Sequence, residues 1–178
     1  MKKSRDYDRL ISSSAKEIIS HLGLAPLPEE GGHFVQSYKS KQKCKIAGKT
    51  NGPVRSCGTG IFYLISSTEF SLLHRLRFDE TYHFYAGDPV NLVQISKTGR
   101  LTKTTLGHSI TSGQAIQAVI PAGTWQGSHI LQSKIGWSLL GTTMAPGFEF
   151  EDFELADRKK LINAWPEHKN LIRRLTKA

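Results

Sequence analysis

From residue 32 to residue 145 the chain is a succession of short β-rich runs, at 32–40, 59–66, 71–77, 81–86, 89–96, 101–107, 114–121, 124–130 and 137–145, separated for the most part by Gly, Pro, Asn or Ser. Numerous short strands with turn residues between them are the pattern of an antiparallel sandwich or barrel. The chain is therefore read as all-β over 33–150.

Helical patterning is confined to the flanks. Ala15, Ile18, Ile19 and Leu22 make one helix face within 1–24, with Ser12 or Ser13 as candidate caps and Gly23 as the stop. The turn-rich stretch 24–32 follows. After an acidic, aromatic connector at 148–157, residues 156–178 read as one or two short helices broken at Pro166, with Leu161, Ile162, Trp165, Leu171, Ile172 and Leu175 as their apolar positions. A chain of 178 residues suits one domain, because a core of that size offsets chain entropy without disulfides. We therefore expect a single domain over 1–178.

Charge is uneven. The net +9 divides into +6 over 1–60, −2 over 61–155 and +5 over 156–178. The basic excess thus lies in the flanking helices and in the Lys-rich loop 39–53, and reads as solvated faces. Nucleic acid is not expected as a partner, since no RNP-like, helix-turn-helix or zinc-finger pattern accompanies the charge. No apolar stretch approaches the roughly 20 residues that cross a bilayer, so no membrane association is expected and the cytoplasm is the expected location. Cys44 and Cys57 lack a metal or disulfide framework spacing, which leaves two reduced thiols as the simple reading.

Two spaced motifs carry more information. The first is His74-x-Leu76-x-x-x-Glu80-x-x-x-x-x-x-Gly87, and the second runs from Gly113 through Pro121-Ala122-Gly123 to Gln126. In order and spacing they resemble the two cupin motifs. The phrases at 30–34, 61–64, 74–89, 106–107, 113–114, 119–126 and 145–157 resemble, more narrowly, the fifth cupin family, a largely uncharacterised group related in fold to sugar-nucleotide epimerases. That resemblance implies a double-stranded β-helix, or jelly-roll cupin barrel, usually as a homodimer.

The same resemblance implies where a cupin metal would sit: His74, the position of Leu76, Glu80 and the position of Gln126. Leucine has no donor atom and a neutral amide is a poor transition-metal ligand, so no cofactor is expected. A divalent metal, if bound, would use His74, Glu80 and Gln126. Without metal, His74 and Glu80 form an acid/base pair in which the carboxylate orients the imidazole, with Tyr82 as a hydroxyl partner. Strand alternation puts Glu80, Tyr82 and Phe84 on one face and His74 with Leu76 on one face.

Gln126 is read as an orienting amide, with Gln117 and Ser128 joining it where their strands face inward. Glu30, followed by Gly31 and Gly32, is read as a carboxylate at the barrel mouth. His83 and Trp125 have the opposite parity and are expected outside.

The reading is a small-molecule-binding barrel with a pocket suited to a polar, carbohydrate-like or nucleotide-like ligand. Metal-independent epimerisation or isomerisation through His74 and Glu80 is its alternative, and a divalent-metal-dependent oxygenase or isomerase ranks third. Fold alone does not choose among them.

Overall fold

A computed structural model describes residues 3–46 and 54–177. In chain order the elements are α1 (Lys3–Ser12), α2 (Ala15–Leu22), β1 (Ala25–Pro26), β2 (His33–Lys39), β3 (Lys43–Lys45), β4 (Val54–Ser56), β5 (Thr59–Ser66), β6 (Ser71–Leu76), β7 (Glu80–Gly87), β8 (Val90–Ile95), β9 (Leu101–Leu106), β10 (Gln117–Ile120), β11 (Trp125–Ile130), β12 (Trp137–Met144), β13 (Phe153–Leu155), α3 (Arg158–Ala164) and α4 (Lys169–Arg174).

A six-stranded sheet, in the order β1-β2-β5-β12-β7-β10, faces a five-stranded sheet, β13-β6-β11-β8-β9, and β3 pairs with β4. The strand pairs within these sheets are antiparallel. The fold is all-β, a jelly-roll barrel with short helices at both flanks.

The space between the sheets is filled at one end by Tyr63, Ile65, Tyr82, Phe84, Val90, Leu92, Leu106, Ile120, Ile130 and Leu140. Burying aliphatic and aromatic side chains of this size contributes about 1.5–3 kcal/mol each, which makes this cluster the main support of the barrel. Outside it, α2 lays Ile18 on Leu64, Ala86, Trp137 and Leu139 of the six-stranded sheet. On the other side α3 and α4 lay Leu161, Ile172 and Leu175 on Leu73, Val93, Ile95 and Trp125. Trp125 therefore packs outward, as its parity predicts.

Several sequence expectations are corrected at the edges. The N-terminal region holds two helices, and the cap of α2 is Ser14: its hydroxyl accepts from the Glu17 amide, while the Glu17 carboxylate accepts from the Ser14 amide. This reciprocal capping box satisfies two end donors together, which neither Ser12 nor Ser13 is placed to do. Gly23 ends the helix with φ 65°. The connector at 148–157 contains β13, which pairs with β6 through Phe153↔Leu76 and Leu155↔His74, so the barrel runs past residue 150. Of the basic loop, 43–45 is strand paired with 54–56, and residues 47–53 lie outside the described residues.

Candidate functional site

The barrel is open at the end opposite its apolar core, where a cavity of about 380 Å³ lies. Strand alternation supplies its walls. Thr59 and Ile61 of β5, Thr142 and Met144 of β12, and Glu80 of β7 project from one sheet, and His74 and Leu76 of β6 from the other. Phe148, Phe150 and Phe153 close its rim, with Phe34 and Leu27 opposite. Most of the wall is apolar, and its polar groups are concentrated around Glu30, His74 and Glu80.

His74 is placed by a bulge. Gln126 pairs with His74 but Ser128 pairs with Ser71, so an extra residue is accommodated in β6. Ser71 and His74, three apart, therefore both turn inward, while Leu73 goes to the outer cluster. The Nδ1 of His74 lies 2.8 Å from the Leu72 carbonyl. A carbonyl only accepts, so Nδ1 carries the proton and Nε2 faces the cavity. The imidazole stacks on Phe153, with ring centroids 5.1 Å apart and planes 23° off parallel.

The carboxylate nearest Nε2 is that of Glu30, at 3.9 Å. Glu30 also accepts from the Ser71 hydroxyl at 2.7 Å. Its position depends on the turn that carries it. Gly31 and Gly32 have φ of 99° and 72°. A Cβ on Gly31 would come 2.5 Å from the Phe70 carbonyl oxygen, and one on Gly32 would come 2.7 Å from that of Leu64. Only glycine allows the chain to cross the barrel mouth this closely. The Tyr63 hydroxyl donates to the Gly31 carbonyl at 2.9 Å and fixes the crossing from below.

Glu80 is buried and accepts a 2.7 Å hydrogen bond from the Gln126 amide. Burial raises its carboxyl above the ordinary carboxylate range. The imidazole of His74 opposes that rise, the Glu30 carboxylate adds to it, and hydrogen bonds from Thr142 and Gln126 oppose it. The expected pairing of His74 with Glu80 is thus corrected: Glu80 is engaged with Gln126, and Glu30 is the carboxylate beside the imidazole.

The other predicted residues sort by depth. Tyr82, Gln126 and Ser128 point into the barrel but lie behind the cavity wall, almost wholly buried. Burial, with the nearby Glu80 and Glu30 carboxylates, pushes the Tyr82 hydroxyl well above its usual range, while Ser71 and Ser128 draw it back. It is therefore a neutral hydroxyl. Gln126 Oε1 is buried without a hydrogen-bond partner.

Gln117 is a correction. Ala118 and Ile120 of β10 take the inward positions, so Gln117 is exposed on the outer face and meets His83 across the β7–β10 pair at 3.2 Å. His83 is outside, as expected from parity. Ser71, Thr142 and Phe153 are site residues that the sequence reading missed. Alternation back from Met144 would have found Thr142, whereas the bulge hides Ser71.

The family model described as "Cupin superfamily (DUF985)" matches residues 16–156. The chain belongs to the cupin superfamily. Among solved cupin relatives, protein SO0799 from Shewanella oneidensis is 33% identical, with a TM-score of 0.82 over 93% of this chain and 98% of its own. A hypothetical protein from Leishmania major is 28% identical, with a TM-score of 0.85 over 93% of this chain and 100% of its own. The uncharacterized protein YML079W of Saccharomyces cerevisiae is 23% identical over 133 residues, covering 69% of this chain and 66% of the yeast protein.

Cupin family members often bind metals at the motif positions, but the donors of this cupin do not fit that role. Leu76 offers no donor atom. Gln126 could offer only its neutral amide oxygen, a poor transition-metal donor, and one Glu80 oxygen already accepts from the Gln126 amide nitrogen. Among the described residues no three His, Cys, Asp or Glu side chains gather closely enough to hold an ion. No described helix is long and apolar enough to cross a membrane.

Proposed function

We propose that this cupin binds a small molecule in the open end of its barrel, with the ligand's hydrogen-bonding head on Glu30, His74 and Glu80 and its body against the rim phenylalanines. The observation that carries the reading is the concentration of these three polar side chains in a cavity that is otherwise largely apolar. Such a combination, an apolar wall for contact area and a few converging polar groups for orientation, is what a ligand pocket requires. A sugar or nucleoside ring suits it: hydroxyls meet the carboxylates and imidazole, and a ring face lies on Phe148, Phe150 or Phe153. A thermal-shift screen with aldoses, sugar nucleotides and nucleosides tests this. Stabilisation by one class that disappears in His74→Ala supports it, and stabilisation unchanged in that variant counts against it.

Proton transfer is the second reading, favoured by one observation: the Nδ1 contact to Leu72 leaves His74 Nε2 presented to the cavity beside Glu30. A base so placed could remove a proton from a bound ligand without a metal, as epimerisation or isomerisation requires. Deuterium uptake from heavy water into the bound sugar, lost in His74→Gln, would establish it.

We also propose that two copies pair through the outer face of the six-stranded sheet, where Tyr38, Tyr85 and Val119 are exposed beside His83 and Gln117. Light scattering on a sizing column that reports a single chain would refute it. The two free, half-buried cysteines suit a reducing compartment, and we place the protein in the cytoplasm.

A further inference from the structure

Cys44 and Cys57 are not isolated thiols. The pair β3–β4 has the register Lys43↔Ser56, Cys44↔Arg55 and Lys45↔Val54, and the Cys57 amide donates to the Gln42 carbonyl at 2.9 Å, which continues the ladder by one step. Residues two apart in a strand share a face, and directly paired residues share a face. Arg55, Cys57 and Cys44 are therefore on one side, with the two cysteines as diagonal neighbours. The Cys44 sulfur leans along the ladder to within 3.9 Å of the Ser56 carbonyl oxygen, toward Cys57. Both side chains are half-buried, so a small oxidant reaches them while bulk protein thiols are hindered.

We propose that Cys44 and Cys57 are a reversible modification site, closing to an intramolecular disulfide when a hydroperoxide is present. The thiolate of one cysteine attacks a peroxide oxygen: an S–O bond forms, the O–O bond breaks, and the leaving oxygen departs as water or an alcohol after taking up a proton. The second thiolate then attacks the resulting sulfenic sulfur, forming S–S and releasing the hydroxyl as water. Two thiols lose two electrons and two protons, and the peroxide is reduced by two electrons. A dithiol reductant reverses the change by exchange through a mixed disulfide.

The neighbours give the site a consequence. Arg55 is on the same face, directly opposite Cys44 and two residues before Cys57. Its guanidinium is 3% exposed and holds Asp152 and Glu151, and so anchors the turn Phe150–Asp152 at the rim of the cavity. A covalent bond across β3–β4 fixes the strand from which that anchor projects. Burial and Cys44 keep the Cys57 thiol above its ordinary range, with Lys43 pulling the other way. Oxidation accordingly speeds up as pH rises through the thiol range.

The test is mass spectrometry of the intact protein after hydrogen peroxide, with alkylation of remaining thiols, peptide mapping, and the variants Cys44→Ser and Cys57→Ser. The expected result is a wild-type mass lower by two hydrogen atoms, complete loss of alkylation at both cysteines, a single cross-linked 44–57 peptide pair within one chain, and full reversal by dithiothreitol. Either serine variant should instead gain oxygen at its remaining cysteine. Retention of both alkylatable thiols, oxygen added to either cysteine of the wild type, or a cross-link between chains would each overturn the proposal. None of these readouts depends on what the cavity binds.

Discussion

The two ends of the barrel are built from the same strands by the same alternation and come out chemically opposite. Along β7 the inward side chains run Glu80, Tyr82, Phe84; across from them on β12 they run Met144, Thr142, Leu140. On the facing sheet the pairs run Gln126 with His74, Ser128 with Ser71, and then Ile130 with Val90. The layer at the mouth carries Glu80, His74 and Gln126, the next carries the hydroxyls of Tyr82, Thr142, Ser71 and Ser128, and the last is hydrocarbon. The closed end is therefore a packed core that holds the sheets together, and the open end carries buried polar groups that cost stability unless they are paired. A pattern that spends stability at one end of a barrel is a pattern with a use for that end.

The largest expected effect lies at the closed end. Leu140→Ala, at a fully buried position, should cost about 4 kcal/mol in urea unfolding, because the surrounding strands cannot collapse into the space. Phe150→Ala at the rim, where the side chain is 64% exposed, should cost less than about 1 kcal/mol. Equal losses would erase the distinction between the ends.

Next comes the anchor of the rim. Arg55 is buried against Asp152 and lies 2.8 Å from Glu151, and Arg55→Met leaves the Asp152 carboxylate without its counter-charge. The expected loss is about 3 kcal/mol, recovered in large part when Asp152 is also neutralised by Asp152→Asn. A double-mutant cycle showing simple additivity would remove the ion pair from the account.

The outer layer should yield to acid. His129 is buried beneath the C-terminal helices with Arg174 and Lys103 nearby, and burial with those charges depresses its imidazole to about 4. A neutral histidine of this kind stabilises fully above its unfolded value near 6.5, and that contribution is lost as pH falls from there toward 4. The loss should be of order 2 kcal/mol and should shrink in His129→Asn, as followed by melting temperature against pH.

The smallest effect is the most diagnostic of the open end. Because burial raises the Glu80 carboxyl, its charge is a burden at neutral pH. Glu80→Gln should then stabilise the free protein near pH 7, with the gain fading as pH falls and the carboxyl protonates, and weaken ligand binding at the same time. A loss of stability would mean that the carboxylate serves the fold.

Much of this architecture was legible because strand alternation and turn residues are local signals. β5 appears in the sequence over the residues it occupies, 59–66, and the Glu80, Tyr82, Phe84 face follows from parity alone. What parity misses is whatever interrupts it. The bulge in β6 brings Ser71 and His74 to one side, and no spacing rule marks it. Glu30 reaches His74 through the path of a glycine turn, a tertiary event, so the sequence paired the imidazole with the carboxylate six residues away. Gln117 depended on which face of β10 turns inward, and no local signal marks that phase: Ala118 and Ile120 take the inward positions. β13 was lost for a different reason: a three-residue edge strand among acidic and aromatic residues has too little periodicity to announce itself.

The claim that the open end is a ligand site can be tested through the chain's two methionines, Met1 and Met144. Met144 lines the cavity, and selective carbon-13 methyl labelling gives it a resolved signal with Met1 as the internal control. We predict that titration with sugars and sugar nucleotides will include a compound that shifts the Met144 methyl saturably, and that His74→Ala and Glu80→Gln will weaken this response at least tenfold. A Met144 signal that stays fixed throughout the titrations, or one that responds equally in both variants, would contradict the account.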